Sequence, residues 1–287
     1  MKVLVATQKP FAPAAVKGIE EILVKAGHTV TVLEKYADEG ELIAAVSDVD
    51  AMIVRSDKVT PKVLAAAGNL KIVVRAGAGF DNIDLAESKA RGVIVENTPG
   101  QNSNAVAELA IAMMIYMSRN QFTPTAGSEI SGKRLGIQAF GNVGRLVGKK
   151  AEALGMTVLA TVKELYAESD FVSVHIPATP ETIGSIGYDL ITSMPKGAVL
   201  VNTARKEVID EAGLEKALED RPDLKYVTDV APDNLAVLKE KFGLRVFATP
   251  KKMGAQTAEA NMNAGLAAAR QIVAYFAEGC TRFQVNK

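Results

Sequence analysis

The chain has 287 residues, and its 33 lysines and arginines balance 33 aspartates and glutamates. Zero formal charge argues against a nucleic-acid or anionic-membrane partner, because each needs a net basic face. An apolar share of 48% excludes wholesale disorder, while one cysteine and two histidines leave neither an internal disulfide nor a Cys/His zinc site. Two domains, no metal and a reducing, cytoplasmic setting are therefore expected.

The opening MKVLVATQKP is too short an apolar run for a secretory leader. It starts a β-α-β alternation. Strands are expected at Val3–Ala6, Thr29–Leu33, Ala51–Val54, Lys71–Val74 and Val93–Glu96. Helices are expected at Ala12–Ala26, Glu41–Val46, Pro61–Ala67 and Ile83–Ala90. Short apolar strands between helices point to a parallel sheet covered on both faces. Gln101–Ser118 reads as a helix apolar on most sides, buried between domains or between subunits. Its apolar core is broken by Glu108 and is too short to span a bilayer. Asn120–Lys133 reads as a linker. A second series follows, with strands at Arg134–Phe140, Met156–Ala160, Phe171–His175, Ala198–Asn202, Tyr226–Val230 and Arg245–Ala248. Thr161–Ser169 and Thr257–Ala277 read as helices.

The turn after the strand from Arg134 carries Ala139, Gly141 and Gly144 where a dinucleotide fingerprint has three glycines. Gly141 would let backbone approach a pyrophosphate, and Gly144 would let helix and strand pack closely. With Asn142 and Val143, the helix start offers N–H groups to phosphate. A ligand-free strand–helix turn gives the same pattern. The acidic residue expected at the end of the next strand is absent; Glu164 has the right spacing but falls inside the expected helix.

Seven further motifs occur in order: Val54-Arg-Ser-Asp, Val74-Arg-Ala-Gly-Ala-Gly-Phe-Asp-Asn-Ile-Asp84, Asn97-Thr-Pro, Ala105-Val-Ala-Glu108, Ser169-Asp-Phe-Val-Ser-Val-His-Ile-Pro177, Val201-Asn-Thr-Ala-Arg205 and Gly254-Ala-Gln-Thr257. With them the chain resembles the D-isomer-specific 2-hydroxyacid dehydrogenases over nearly its whole length. The resemblance implies two doubly wound parallel-sheet α/β domains. One is a flavodoxin-like substrate domain, 1–98 plus 265–287. The other is a Rossmann-type cofactor domain, 99–264. It implies NAD as cofactor, a small anionic 2-hydroxy or 2-oxo acid as substrate, and a homodimer with the long apolar helix in its interface. No C-terminal regulatory domain, and so no feedback through one, is expected.

The same resemblance assigns residues. Arg205 would hold the substrate carboxylate, a task suited to a planar, permanently charged guanidinium. Arg55 and Ser56 would meet a phosphate end, as in 3-phosphoglycerate. Arg75, Gly77, Ala78, Gly79 and Asn102 would line the substrate site. A simple 2-oxo acid would not need Arg55, and a surface role for that residue stays open. His175, Pro177, Thr182, Thr203, Ala204, Asp229, Gly254 and Ala255 would surround the cofactor, with Asp229 on the nicotinamide carboxamide.

The catalytic pair departs from the family. A histidine is expected after Thr249-Pro250, but Lys251 and Lys252 stand there. The partner glutamate's place holds Asn234. A lysine starts near 10.4 and must be lowered to act as a base near neutral pH. A neighbouring carboxylate would oppose that, and an asparagine would not. Lys252 is thus the expected acid/base, lowered by burial and by the charge of Arg205. A silent cofactor-binding chain with two surface lysines is the other reading. The segment that carries the ribose-binding acid and a further edge strand in relatives is also missing after Ala160. Either it is deleted, or a loop is missing between Ala160 and Thr161. Losing an edge strand leaves a coherent sheet.

Overall fold

Runs of β-branched and aliphatic residues become parallel strands in the computed structural model, which describes residues 1–160 and 163–287. They fall into two units, Met1–Asn102 with Gln256–Lys287, and Ser103–Ala255. The expected boundary at 264/265 falls inside the helix Ala258–Glu278, all of which lies in the first unit.

In the first unit, β1 (Lys2–Thr7), β2 (Thr29–Glu34), β3 (Ala51–Val54), β4 (Ile72–Arg75) and β5 (Ile94–Asn97) form one parallel sheet, ordered β2-β1-β3-β4-β5. That is the flavodoxin-like order. Val3 to Ala6 and Ala51 to Val54 are almost wholly buried, as expected for central strands covered on both faces. The crossover helices are α1 (Pro13–Lys25), α2 (Glu39–Val46), α3 (Pro61–Ala66) and α4 (Leu85–Ala90). Side chains fix three of their starts: Asp38, Thr60 and Asp84 accept from first-turn amides. The C-terminal helix, Ala258–Glu278, lies on α1. Gly18 and Gly265 allow the contact, since a Cβ on them would lie 2.6 Å from Leu266 and 2.9 Å from Ile19.

The tail then covers β5. Val285 N–H donates to Val95 O, and the Asn286 amide accepts from Val95 N–H and donates to Val93 O, at 3.0 and 2.8 Å. A side chain thereby imitates a neighbouring strand and closes a sheet edge.

The second unit opens with α5 (Ser103–Ser118). Its sheet contains β6 (Arg134–Gln138), β7 (Thr157–Leu159), β8 (Phe171–Val174), β9 (Val199–Asn202), β10 (Lys225–Thr228) and β11 (Val246–Ala248). All pairs are parallel and the order is β11-β10-β9-β8-β6-β7. This is a Rossmann sheet without its third strand: β8 pairs directly with β6, and among the described residues no strand lies beyond β7. The helices are α6 (Asn142–Ala153), α7 (Tyr188–Ser193), α8 (Glu211–Asp220) and α9 (Leu235–Phe242).

The expected helix over Thr161–Ser169 is not formed by its described part. Residues 163–168 are turns, with Glu168 N–H on Glu164 O at 3.0 Å, and Glu164 is exposed. The Ala160–Thr161 join lies outside the described residues. The turn seals onto β6 instead of extending. Tyr166 is buried and its hydroxyl reaches Gln138 Oε1 at 2.6 Å, while a Cβ on Gly136 would sit 2.4 Å from Ser169 Oγ.

The linker is more structured than its composition implied. Asn120, Gln121 and Phe122 all have left-handed backbone, with φ of 48, 57 and 59°. Lys225 Nζ holds Asn120 Oδ1, and Gln121 Nε2 holds Leu244 O. These bonds offset a conformation that costs L-residues about 1–2 kcal/mol each.

Candidate active site

The candidate residues of the second unit gather at the carboxyl ends of its parallel strands. β6 ends at Gln138, and Ala139 turns the chain with φ at 75°. That value explains the usual glycine there, and the alanine bears the strain. Gly144 does the expected work: a Cβ on it would lie 2.4 Å from Ala139 O and 2.9 Å from Ile137 Cγ2. Gly141 is different, because a Cβ on it would meet nothing within 4 Å. No side chain caps α6, so the amides of its first turn, around Asn142 and Val143, are left for an anion. An exposed glycine over an uncapped helix start fits a dinucleotide pyrophosphate. The ribose end has no described carboxylate at the end of β7.

His175 is held by two hydroxyls, with Ser173 Oγ at 2.9 Å from Nε2 and Thr203 Oγ1 at 3.4 Å from Nδ1. Burial lowers its pKa to about 4, so it is neutral at physiological pH and supplies no charge. Thr182 Oγ1 donates to Pro177 O at 2.6 Å and accepts from Thr179 N–H at 2.7 Å, which shapes the loop after β8. Thr203 and Ala204 are buried beside β9.

Asn202, which the motif reading left without a role, builds the turn that carries Arg205. Its amide accepts from Ala204 N–H at 3.0 Å and donates to Arg205 O at 2.9 Å. Its presence in Val201-Asn-Thr-Ala-Arg205 was the available signal.

Asp229 already has partners within its own unit. Its buried carboxylate accepts from Thr249 Oγ1 at 2.8 Å, Met253 N–H at 2.7 Å and Gly254 N–H at 2.8 Å. It therefore anchors the loop bearing Lys251 and Lys252, with Ala255 next in the chain. Both lysines are exposed, so the burial expected around Lys252 is not there. The physical reason is the anchor, which pulls Thr249 and Gly254 inward and leaves the residues between them outside. Asn234, counted to the partner acid's place, turns towards α8: Nδ2 donates to Glu215 Oε2 at 3.3 Å.

In the first unit, Arg55 follows β3 and Arg75 ends β4, paired with Val54. The Arg55 guanidinium donates to Lys9 O, Pro10 O and Asn261 Oδ1 at 2.9, 3.0 and 2.5 Å and lies 5.0 Å from the Phe11 ring centre. Burial lowers its pKa, against the opposing charge of Asp57. Asp57 organises the loop: it is buried and accepts from Tyr36 OH at 2.8 Å, Gln8 N–H at 2.6 Å and Arg55 N–H at 3.2 Å. Ser56 is exposed between them. Arg75 Nε donates to Arg55 O at 2.8 Å, and its guanidinium folds over Gly77, where a Cβ would lie 2.0 Å away. Asn97 Nδ2 fixes Ala78 O at 2.6 Å in the Gly77–Gly79 loop, and Asn102 stands in the turn before α5.

Among the described residues no three His, Cys, Asp or Glu side chains are placed to hold a metal ion, and no helix is long and apolar enough to cross a membrane.

Residues 3–286 match the model of the D-isomer-specific 2-hydroxyacid dehydrogenase catalytic domain. A hydroxypyruvate reductase of Thermotoga maritima is 35% identical over 268 residues, covering 82% of this chain and 87% of that protein. A D-3-phosphoglycerate dehydrogenase of Archaeoglobus fulgidus is 36% identical over 313 residues, covering 95% of this chain and 57% of that one. The chain spans about half the length of the curated phosphoglycerate dehydrogenases it matches. The crystal structure of NAD+-bound 3-phosphoglycerate dehydrogenase of Entamoeba histolytica superposes with a TM-score of 0.91 and 48% identity, over 100% of this chain and 99% of that one.

Proposed function

The chain belongs to the D-isomer-specific 2-hydroxyacid dehydrogenase family, and from that premise we propose that it oxidises D-3-phosphoglycerate to 3-phosphohydroxypyruvate with NAD+, in the service of serine synthesis. The observation that carries the reading is the shared edge of the second sheet. There the glycine turn, Arg205 and the Lys251–Lys252 loop stand at the ends of strands of one sheet. Likeness over the full chain to the Entamoeba 3-phosphoglycerate dehydrogenase supports the choice of substrate.

Arg205 pairs with the substrate carboxylate and keeps C2 oriented. Lys252 takes the 2-hydroxyl proton as the C–H bond breaks, and because it is exposed only its deprotonated fraction, which grows from pH 7 to pH 9, does so. Bound NAD+ supplies the hydride acceptor. The uncapped first-turn amides of α6 would hold its pyrophosphate, while His175, kept neutral by burial, would contribute hydrogen bonding and no charge. The family resemblance assigns Arg55, Ser56 and Arg75 to the substrate's phosphate end.

The test is NADH formation from 3-phosphoglycerate at pH 7 and pH 9, with wild type, Lys252→Ala and Lys251→Ala. Loss of turnover in Lys252→Ala alone is expected. Unchanged turnover in both variants removes lysine from the mechanism. A second reading, reduction of glyoxylate or hydroxypyruvate, is favoured by the Arg55 guanidinium's existing bonds to Lys9, Pro10 and Asn261. The Thermotoga relative bears the corresponding name. Reduction of glyoxylate with no rate on phosphoglycerate selects it.

We further propose a homodimer. The outer face of α5 is an apolar groove of about 450 Å3, lined by Leu109, Ala112, Tyr116, Phe122, Phe247 and Met253, and a second copy would cover it. Sedimentation of wild type and Phe122→Glu tests this. A monomeric wild type removes the proposal. The lone thiol, Cys280, suits a reducing cytoplasm.

A further inference from the structure

We propose that Asn202, Asp229 and Thr249 form one frame that fixes Arg205 and the Lys251–Lys252 loop relative to each other, with Thr249 a positioning residue that acts through Asp229. The inference rests on the catalytic reading of that loop.

β9, β10 and β11 lie side by side, and each ends in a buried polar residue or is followed by one. The side chain of Asn202 closes the turn carrying Arg205. Its carbonyl accepts from Thr228 Oγ1 and from Asp229 N–H, both at 3.0 Å. Asp229 in turn accepts from Thr249 Oγ1 and from the N–H groups of Met253 and Gly254. An unbroken run of hydrogen bonds thus leads from the backbone of Arg205 to the residue that follows Lys252. Gly254 is part of the frame, because a Cβ there would lie 3.0 Å from Asp229 Oδ2 and push the loop off.

The arrangement is stiff for an electrostatic reason. Asp229 is 2% exposed, and three donors replace the water it gave up. Removing one donor leaves a buried charge short of partners, so the carboxylate turns and the loop follows. Thr249 is the informative position. It is 8% exposed, its hydroxyl donates to Asp229, and it lies three residues from Lys252. Misplacing a reacting group by about 1 Å costs on the order of 10²-fold in rate.

Thr249→Val removes the hydroxyl at nearly constant volume. The expected result is a kcat lower by about 10- to 100-fold, with the substrate KM within about threefold of wild type. Thr249→Ser, which restores the donor, is expected to recover most of kcat. A second readout needs neither substrate nor turnover: the amides of Met253 and Gly254 exchange faster with deuterium in Thr249→Val, and not in Thr249→Ser. Wild-type kcat together with wild-type exchange at those amides overturns the proposal. So does a Thr249→Ser variant as impaired as Thr249→Val. If Lys252→Ala instead keeps full turnover, the catalytic reading of the loop fails, while the exchange arm still decides whether the frame exists.

Discussion

Two glycines of one turn should fail in opposite ways when given a methyl group. At Gly144 a Cβ would sit 2.4 Å from Ala139 O. Ordinary van der Waals contact is about 3.4 Å, so helix α6 must back away from β6 by about 1 Å. Overpacking on this scale costs about 1–3 kcal/mol, and the neighbour here is backbone, which places Gly144→Ala at the upper end. At Gly141 a Cβ would meet nothing within 4 Å, and φ is −83°, comfortable for alanine. Gly141→Ala therefore leaves stability unchanged or raises it by a few tenths of a kcal/mol through the unfolded chain. It nevertheless fills the space over the uncapped helix start. NADH binding, followed by fluorescence titration, should weaken by about tenfold or more, the equivalent of about 1.4 kcal/mol. Thermal unfolding and titration on both variants separate the effects. Wild-type NADH affinity in Gly141→Ala would refute passage of the pyrophosphate over this turn. Wild-type stability in Gly144→Ala would refute the close packing.

Other outcomes follow from single contacts. The pKa of His175, lowered to about 4, makes the unfolded chain the better proton binder between pH 4 and 6.5. The associated stability, on the order of 3 kcal/mol, is present above pH 6.5 and lost as pH falls towards 4; His175→Gln should flatten that part of the melting-temperature profile. Glu96 is shifted the other way, since burial raises its pKa. Its neutral form is favoured in the fold, so stability falls as pH rises through the folded value, and Glu96→Gln should remove that loss. Asn286→Ala strips two bonds from the edge of β5 and should cost about 2–3 kcal/mol in urea unfolding. Tyr36→Phe should cost about 1–2 kcal/mol by taking a donor from buried Asp57.

Much of this protein was decided by local pattern. Aliphatic runs such as Ala51–Val54 and Val199–Asn202 have one way to be buried on both faces, and turns or helices bound them. The direct pairing of β8 with β6 was legible for the same reason, since it holds whatever becomes of a further edge strand. The ordered motifs sufficed for the family, because Arg205 and the glycine turn must occupy defined strand ends. The expected helix at Thr161–Ser169 failed where tertiary contact prevailed, since Tyr166 and Ser169 are drawn onto β6. The left-handed turn at Asn120–Phe122 had only Asn120 as a local signal, and its hold on Lys225 and Leu244 comes from distant sequence.

Side-chain partners were the part that only tertiary structure could decide. Residue type says that Asp229 can accept hydrogen bonds, but not that Thr249, Met253 and Gly254 will supply them. It says that Arg55 is charged, but not that Lys9, Pro10 and Asn261 occupy its donors. Strand and helix formation depend on periodicity along the chain, which a sequence displays directly. A hydrogen bond depends on distances of about 3 Å between residues far apart in that chain, and only the packed fold sets them.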